Sequence, residues 1–179
     1  MFFATLDSRY QLILRAYNDA KDAFRYTKRE SGERYFEHLR AVSLILIDWL
    51  RIKDYRYIVV ALLHDIVEDC KEWSLERLTQ EYGQDIAVWV EWLTKPPKSE
   101  FGNDKLLRNR IYHRRLLEAP RGVKIIKLCD RLHNVMTLAE CPPEKIKHKT
   151  EETVTYYLPL AEQEIILIHE LEEALENLK

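Results

Sequence analysis

The sequence predicts an all-α fold, a single bundle of helices, and three observations carry that expectation. Apolar residues recur at helical spacing along most of the 179 residues. Only 4 glycines are present and clusters of turn-forming residues are scarce, which disfavours a sandwich of short strands. No convincing strand pair is found, although residues 123–128, VKIIKL, imitate a strand. A chain of this length forms one domain with room for a sizeable core. A hydrophobic content of 46% excludes a disordered chain.

Residues 6–26 place Leu6, Tyr10, Ile13, Tyr17, Ala20 and Phe24 on one helical face. That helix ends before Ser31-Gly32. A second is expected from Tyr35 to Leu50, with Leu39, Val42, Leu46 and Trp49 inside. Asp54 opens a third, whose stretch 58–70, IVVALLHDIVEDC, leaves almost no polar face. Periodicity resumes weakly over 74–83 and more firmly at Ile86, Val90 and Leu93. Pro96-Pro97 ends that helix, and residues 98–104 read as an exposed loop. Residues 104–118 form a basic helix, Pro120-Arg121-Gly122 a turn, and residues 123–140 a second largely apolar helix. Pro142-Pro143 open the next helix, Pro159 kinks or splits it, and an amphipathic helix runs on to Lys179.

A formal net charge of −2 argues against a nucleic-acid or membrane partner. Cys70, Cys129 and Cys141 are too few and too scattered for a disulfide framework. They read as small core residues of a protein in a reducing cytoplasm. The first ten residues lack the pattern of a secretory signal, and no apolar run approaches the length of a membrane span.

Chemistry concentrates in the two apolar helices. Into 58–70 the chain inserts His64, Asp65, Glu68 and Asp69, and buried charges are costly unless paired or bound to a metal. Helical stacking sets His64 over Glu68 and Asp65 over Asp69; ordinary solvated acids at a helix end are the alternative. Lys127, Asp130, Asn134 and Thr137 share one face of the other helix, where an intrahelical Lys127–Asp130 pair is the simpler explanation. With His38, the set His38, His64, Asp65 and Asp130 offers two nitrogens and two oxygens from three helices. Such a set suits manganese, iron or zinc, manganese being favoured where carboxylates are numerous. A bound divalent ion acidifies its water and polarises a phosphoryl oxygen. His113, His133, His148 and His169 complete no second site, so one ion is expected. The run Arg108–Arg115 and the lysines 145, 147 and 149 read as solvated faces, with a phosphate-holding role for the arginines as the alternative. No GxxxxGK[ST] loop is present.

The order H…HD…D resembles the HD metal-dependent phosphohydrolases. Four segments narrow the likeness to the hydrolase domain of the RelA/SpoT homologues: RESGERYFEH (29–38), ALLHDIVED (61–69), IKLCDRLHN (126–134) and ETVTYYLPLA (152–161). With Leu93-Thr94-Lys95 they span about residues 25–161. The resemblance implies an HD-domain bundle with a metal site in its core, one domain over 1–179, and manganese as the ion held by His38, His64, Asp65 and Asp130. It implies that Glu68 and Asp69 activate and position the attacking water. Arg29 then packs on the nucleobase, with Ser31 in the same loop, Asn134 and Thr137 lining the pocket, and Lys127 and Arg131 flanking the metal aspartate as substrate-binding residues. Tyr35 is read as a packing residue. The implied activity is hydrolysis of the alarmones ppGpp and pppGpp to GDP or GTP plus pyrophosphate. No synthetase domain fits in the remaining length, so the likeness is to free-standing small alarmone hydrolases, able to act opposite a separate alarmone synthetase. Three departures stand out: Leu39 where the family usually has Pro, and Glu30 and Met136 where basic residues are common. The last two leave adenosine alarmones or the 2′-phosphate of NADPH open as substrates. A non-catalytic nucleotide-binding module is the rival of another class.

Overall fold

The computed structural model describes residues 7–102 and 104–178. Among them, regular structure is helical apart from an isolated bridge between Lys28 and Arg34. Helix α1 (Ser8–Ala23) is opened by Asp7, whose side chain accepts from the Arg9 N–H. Helix α2 (Tyr35–Leu44) runs into a π-turn at Ile45–Trp49. Asp54 caps α3 (Tyr55–Leu63), and a single turn, α4 (Ile66–Asp69), follows. Ser74 caps α5 (Leu75–Tyr82), and Gly83, at φ +88, turns the chain into α6 (Gln84–Leu93). After a 3₁₀ turn at Lys98–Glu100 come α7 (Lys105–Leu117), capped by Asp104, and α8 (Arg121–Met136). Helix α9 (Pro143–Glu152) passes through a π-turn, Thr153–Tyr157, into α10 (Leu158–Glu164), and α11 (Ile168–Glu176) closes the bundle.

Helix α8 is the axis of the fold. Every residue from Gly122 to Leu132 is buried, because α2, α3, α6, α10 and α11 all pack around it. Leu39, Val42, Leu63, Ile66, Ile126 and Leu128 have almost no exposed surface and belong to one continuous core. Each such side chain contributes about 1.5–3 kcal/mol. The same packing that excludes water from these residues brings α2, α3 and α8 together at their polar positions.

The expected helix over 58–70 is broken. Leu63 ends α3, and His64 and Asp65 form the junction before α4. Pro120-Arg121-Gly122 is not a turn but the start of α8, with Pro120 as its cap. Gly122 is small there for a packing reason: a Cβ would stand 2.3 Å from the Trp89 indole. Pro159 does split its helix, falling in the first turn of α10 after the π-turn, where its missing N–H costs no helical bond. Trp49 is 50% exposed rather than inside, because it lies at the end of the π-turn. Leu6, Asn103 and Lys179 lie outside the described residues. No described helix is long and apolar enough to cross a membrane.

Replacing Gly122 by Ala is expected to lower the unfolding free energy by about 1–3 kcal/mol through overpacking, read as a lower urea midpoint with an unchanged slope. Trp89→Leu in the same chain should recover part of the loss. A Gly122→Ala variant as stable as the parent contradicts this packing.

Candidate metal centre

Four side chains converge where α2, α3 and α8 meet. His38 comes from the first turns of α2, His64 and Asp65 from the break between α3 and α4, and Asp130 from the middle of α8. Donor atoms of His38, His64 and Asp65 lie within 4.8 Å of one another. Asp130 Oδ1 is 3.1 Å from His38 Nε2 and 3.7 Å from His64 Nε2, and His64 Nε2 is 3.0 Å from Asp65 Oδ2. The helix break serves this convergence. His64 Nδ1 lies 2.8 Å from the Ala61 carbonyl, an acceptor only, so Nδ1 carries the proton and Nε2 is turned to the centre. Tyr35 stacks on Phe24 and donates its hydroxyl to Asp65 at 2.5 Å, so it packs and also holds a carboxylate. Asp130 is fixed by Lys127 Nζ at 2.7 Å and Asn134 Nδ2 at 2.6 Å.

Hydrogen-bond accounting shows that the centre is short of a cation. Arg29 Nη1 lies 3.2 Å from His133 Nδ1. A guanidinium can only donate, so that nitrogen is an acceptor. His38 Nδ1, 2.8 Å from the same nitrogen, must therefore be the donor. His38 Nε2 is left bare, facing a carboxylate oxygen. Only positive charge at Nε2, a second proton or a metal ion, satisfies all three contacts. Burial disfavours the proton, holding the His38 pKa below its ordinary 6.5. At His64, burial also opposes the charge, but Asp65 and Asp130 outweigh it and push the pKa up to about 10. Asp130 is driven well below the usual carboxylate range: burial works the other way, but Lys127 and the two histidines prevail. Two neutral-capable imidazoles and two anionic carboxylates, with Nε2 lone pairs aimed inward, fit a divalent ion.

Glu68 and Asp69 lie one turn beyond the donors and differ from each other. Glu68 does not stack on His64: it accepts from Arg108 at 3.2 Å and from the Lys95 backbone N–H at 3.2 Å. Asp69 has no such anchor. Partial burial, followed by the charges of Asp65 and Glu68, raises its pKa to about 6. A cavity of about 520 Å³ opens on this side, lined by both acids with Lys95, Lys98, Arg108 and Arg115. A second, of about 330 Å³, is lined by Arg29, Ser31, Tyr35, Asn134, Thr137 and Lys149 among others. Burial, then repulsion from Lys127 and Lys149, brings the Lys95 pKa down to about 8. Each cavity is lined by several basic side chains, which favours an anionic ligand.

Arg29, Ser31, Asn134 and Thr137 thus share one cavity. Gly32, at φ +84, closes the tight loop that presents Arg29, and the guanidinium donates to Asn134 at 3.1 Å and Thr137 at 2.9 Å. Lys127 is buried against Asp130. Arg131 points elsewhere: it is 3% exposed, donates to Glu152 at 2.9 Å and lies over the Tyr157 ring. Two regions expected to be solvated are so only in part: Arg110, Arg114 and Lys147 are exposed, but the nearby Arg108, His113 and Lys149 are not. Arg108 is buried and also donates to the Pro96 carbonyl at 2.6 Å, while buried His113 meets Glu152 at 3.3 Å. Lys149 donates to Glu152, and Lys145 pairs with Glu30 at 2.9 Å. Cys70 and Cys129 are buried, but Cys141 is half-buried and lines the Arg29 cavity. His133 is the residue that sequence reasoning missed. It was weighed only as a ligand, yet its place three residues after Asp130, on the same helical face, was the available signal.

The fold and this inward-facing set define a helical metal-site domain, and the HD domain family model matches residues 16–166. The chain belongs to the HD domain family. It is 32% identical over 174 residues to the bifunctional (p)ppGpp synthase/hydrolase SpoT of Escherichia coli (strain K12), covering 96% of this chain and 24% of that protein. It is 37% identical over 157 residues to a GTP pyrophosphokinase of Streptomyces coelicolor, covering 86% of this chain and 18% of that one. The chain thus spans about a quarter or less of these relatives. A solved structure, of a metazoan orthologue of SpoT described as hydrolysing ppGpp, matches with a TM-score of 0.83 at 23% identity, over 99% of this chain and 98% of that one. That likeness establishes the shared fold.

Uptake of a divalent ion at pH 7 is expected to displace the His64 proton. Isothermal titration in buffers of different ionisation enthalpy should show about one proton released per ion, and affinity should rise about tenfold per pH unit below the His64 pKa. His64→Ala should abolish uptake while the chain stays folded. Undiminished uptake by His64→Ala would place the ion elsewhere.

Proposed function

We propose that this chain is a single HD-type domain over residues 1–179 that hydrolyses the 3′-diphosphate of guanosine 3′,5′-bis(diphosphate) and its pentaphosphate relative. The products are GDP or GTP and pyrophosphate, and manganese, one ion per chain, is the metal. The adjacency of the four-donor cluster, an unanchored carboxylate at Asp69 and a cation-lined cavity carries this reading. Relatives named as guanosine-3′,5′-bis(diphosphate) 3′-pyrophosphohydrolases, from Escherichia coli O157:H7 and Haemophilus influenzae, support the substrate. The mixed nitrogen and oxygen donors support manganese. Three free cysteines, two of them buried, suit the cytoplasm. There the hydrolase acts opposite a separate alarmone synthetase.

The ion, held by His38, His64, Asp65 and Asp130, supplies polarisation of a phosphoryl oxygen and acidification of water. This chain's residues do the rest. Arg29 offers its guanidinium face to the nucleobase and its Nη1 edge to a phosphate oxygen of the same nucleotide, in a cavity bounded by Ser31, Asn134 and Thr137. Lys127 keeps Asp130 ionised and aimed, and Arg131 braces α8 from behind through Glu152. Glu68, fixed by Arg108 and the Lys95 N–H, orients the water. Asp69 takes its proton as the new oxygen–phosphorus bond forms. The bond from phosphorus to the ribose 3′ oxygen breaks, that oxygen takes a proton from solvent while Asp69 returns its own to solvent, and pyrophosphate departs towards Lys95 and Lys98.

One observation favours a second substrate reading. Glu30 occupies Lys145 at the mouth of the Arg29 cavity, removing a positive charge where the family commonly adds one. NADPH, whose 2′-monophosphate carries less charge than a 3′-diphosphate, suits this arrangement. A manganese-dependent assay of ppGpp, pppGpp, ppApp and NADPH separates the readings. Fastest release of pyrophosphate from ppGpp is expected, and faster phosphate release from NADPH overturns it.

Asp69→Asn should slow turnover by about 10²–10⁴-fold with unchanged melting and metal content. In the parent, Asp69 must be ionised to act. Its pKa of about 6 sets an acid limb, with activity rising as pH increases through that value. An unchanged rate in Asp69→Asn refutes its role.

A further inference from the structure

Two donors contest one lone pair at the join between the metal centre and the Arg29 cavity. A neutral imidazole nitrogen without a proton has a single in-plane lone pair. His133 Nδ1 receives both His38 Nδ1 at 2.8 Å and Arg29 Nη1 at 3.2 Å. On one side, the first donor belongs to a ring whose other nitrogen faces Asp130. On the other, the second belongs to a guanidinium whose Nη2 donates to Asn134 and Thr137 along the cavity wall. His133 itself is half-buried between them, its ring tilted against that of His38 at 4.9 Å.

We infer that His133 is a positioning residue coupling the two sites, so that a nucleotide engaging Arg29 tightens the hold of His38 on a divalent ion. The sign follows from the acceptors. A phosphate oxygen is a stronger acceptor for a guanidinium N–H than a neutral ring nitrogen is, and the Arg29 contact is the longer of the two. When Arg29 turns to an anionic ligand, the lone pair passes wholly to His38 Nδ1–H. That bond orients the imidazole and makes its Nε2 more basic, as hydrogen-bonded partners of metal histidines do. Linkage then requires the ion to tighten the nucleotide by the same factor. The inference rests on reading the Arg29 cavity as a nucleotide site.

Isothermal titration of the full chain with Mn²⁺, with and without saturating GDP, tests it. GDP carries no 3′-diphosphate, so nothing is consumed. Wild type should bind Mn²⁺ about fivefold or more tightly with GDP present. In His133→Asn, Oδ1 takes the place of Nδ1 and has two lone pairs, enough for both donors. That variant should bind Mn²⁺ as tightly as GDP-bound wild type, with the GDP effect gone. His133→Phe strands the His38 donor and should weaken Mn²⁺ binding about 10–100-fold; if it does not fold, the Asn variant decides alone. Chelation of Mn²⁺ by free GDP is measured in a titration without protein, and every affinity is expressed against free Mn²⁺. An equal GDP effect in wild type and His133→Asn overturns the coupling, as does GDP that binds without moving Mn²⁺ affinity. GDP that fails to bind wild type at all overturns the nucleotide reading and the coupling built on it.

Discussion

The structure depends on keeping Asp130 ionised inside the bundle. Its side chain is 5% exposed and sits midway along a helix buried on all sides. An isolated carboxylate there would take up a proton or pull the helices apart. Lys127 one turn before it, Asn134 one turn after it and two histidine rings from α2 and α3 make the charge tolerable. Those partners can reach it only while the apolar contacts among α2, α3 and α8 hold their spacing. Core packing and the metal centre are therefore one construction, and breaking such a buried set by removing a partner costs about 3–5 kcal/mol.

The same logic appears behind α8. Glu152 is 5% exposed and gathers Arg131, Lys149 and His113 from α8, α9 and α7. Burial alone would keep it neutral, but the hydrogen bond from His113 and the charges of Arg131 and Lys149 hold its pKa far below the carboxylate range. The cluster fastens the helices after Asp130 to the rest of the bundle. It also holds Lys149 at the wall of the Arg29 cavity. Helix α7, whose arginines look from sequence like a solvated face, contributes at both ends: His113 to Glu152 and Arg108 to Glu68.

What could be read from sequence was what periodicity and order encode. The helical architecture follows from the spacing of residues such as Leu39, Val42 and Leu46. The order of His38, His64, Asp65 and Asp130 was enough to suggest a common centre, which the packing of α2, α3 and α8 brings together. The break at His64 was hidden, because the apolar run on either side is continuous and the bond that ends α3, from His64 to the Ala61 carbonyl, is local and leaves no compositional trace. Gly122 was mistaken for a turn glycine since Pro-X-Gly imitates one; its actual reason is the Trp89 ring, more than thirty residues away. Burial of Arg108 against a carbonyl and an acid is likewise a tertiary fact. The spacing of His133 from Asp130 marks it as a neighbour of the cluster, but which ring it serves is a tertiary fact.

The broken helix also explains why two adjacent acids need not act alike. The turn from Asp65 to Asp69 keeps its helical bond, the Asp69 N–H donating to the Asp65 carbonyl at 3.0 Å, so Asp69 stays one turn above Asp65. The break at His64–Asp65 redirects the last turn, and Glu68 finds Arg108 and the Lys95 N–H instead. Its charge is thereby fixed and compensated. Asp69 makes no hydrogen bond to a cation among the described residues, and burial with the charges of Asp65 and Glu68 outweighs those of His64 and Lys98, which raises its affinity for a proton towards neutrality. A general base works best when its pKa lies near the working pH. In the proposed reaction, then, Glu68 serves by staying charged and still, and Asp69 by being the carboxylate whose proton affinity its neighbours have raised.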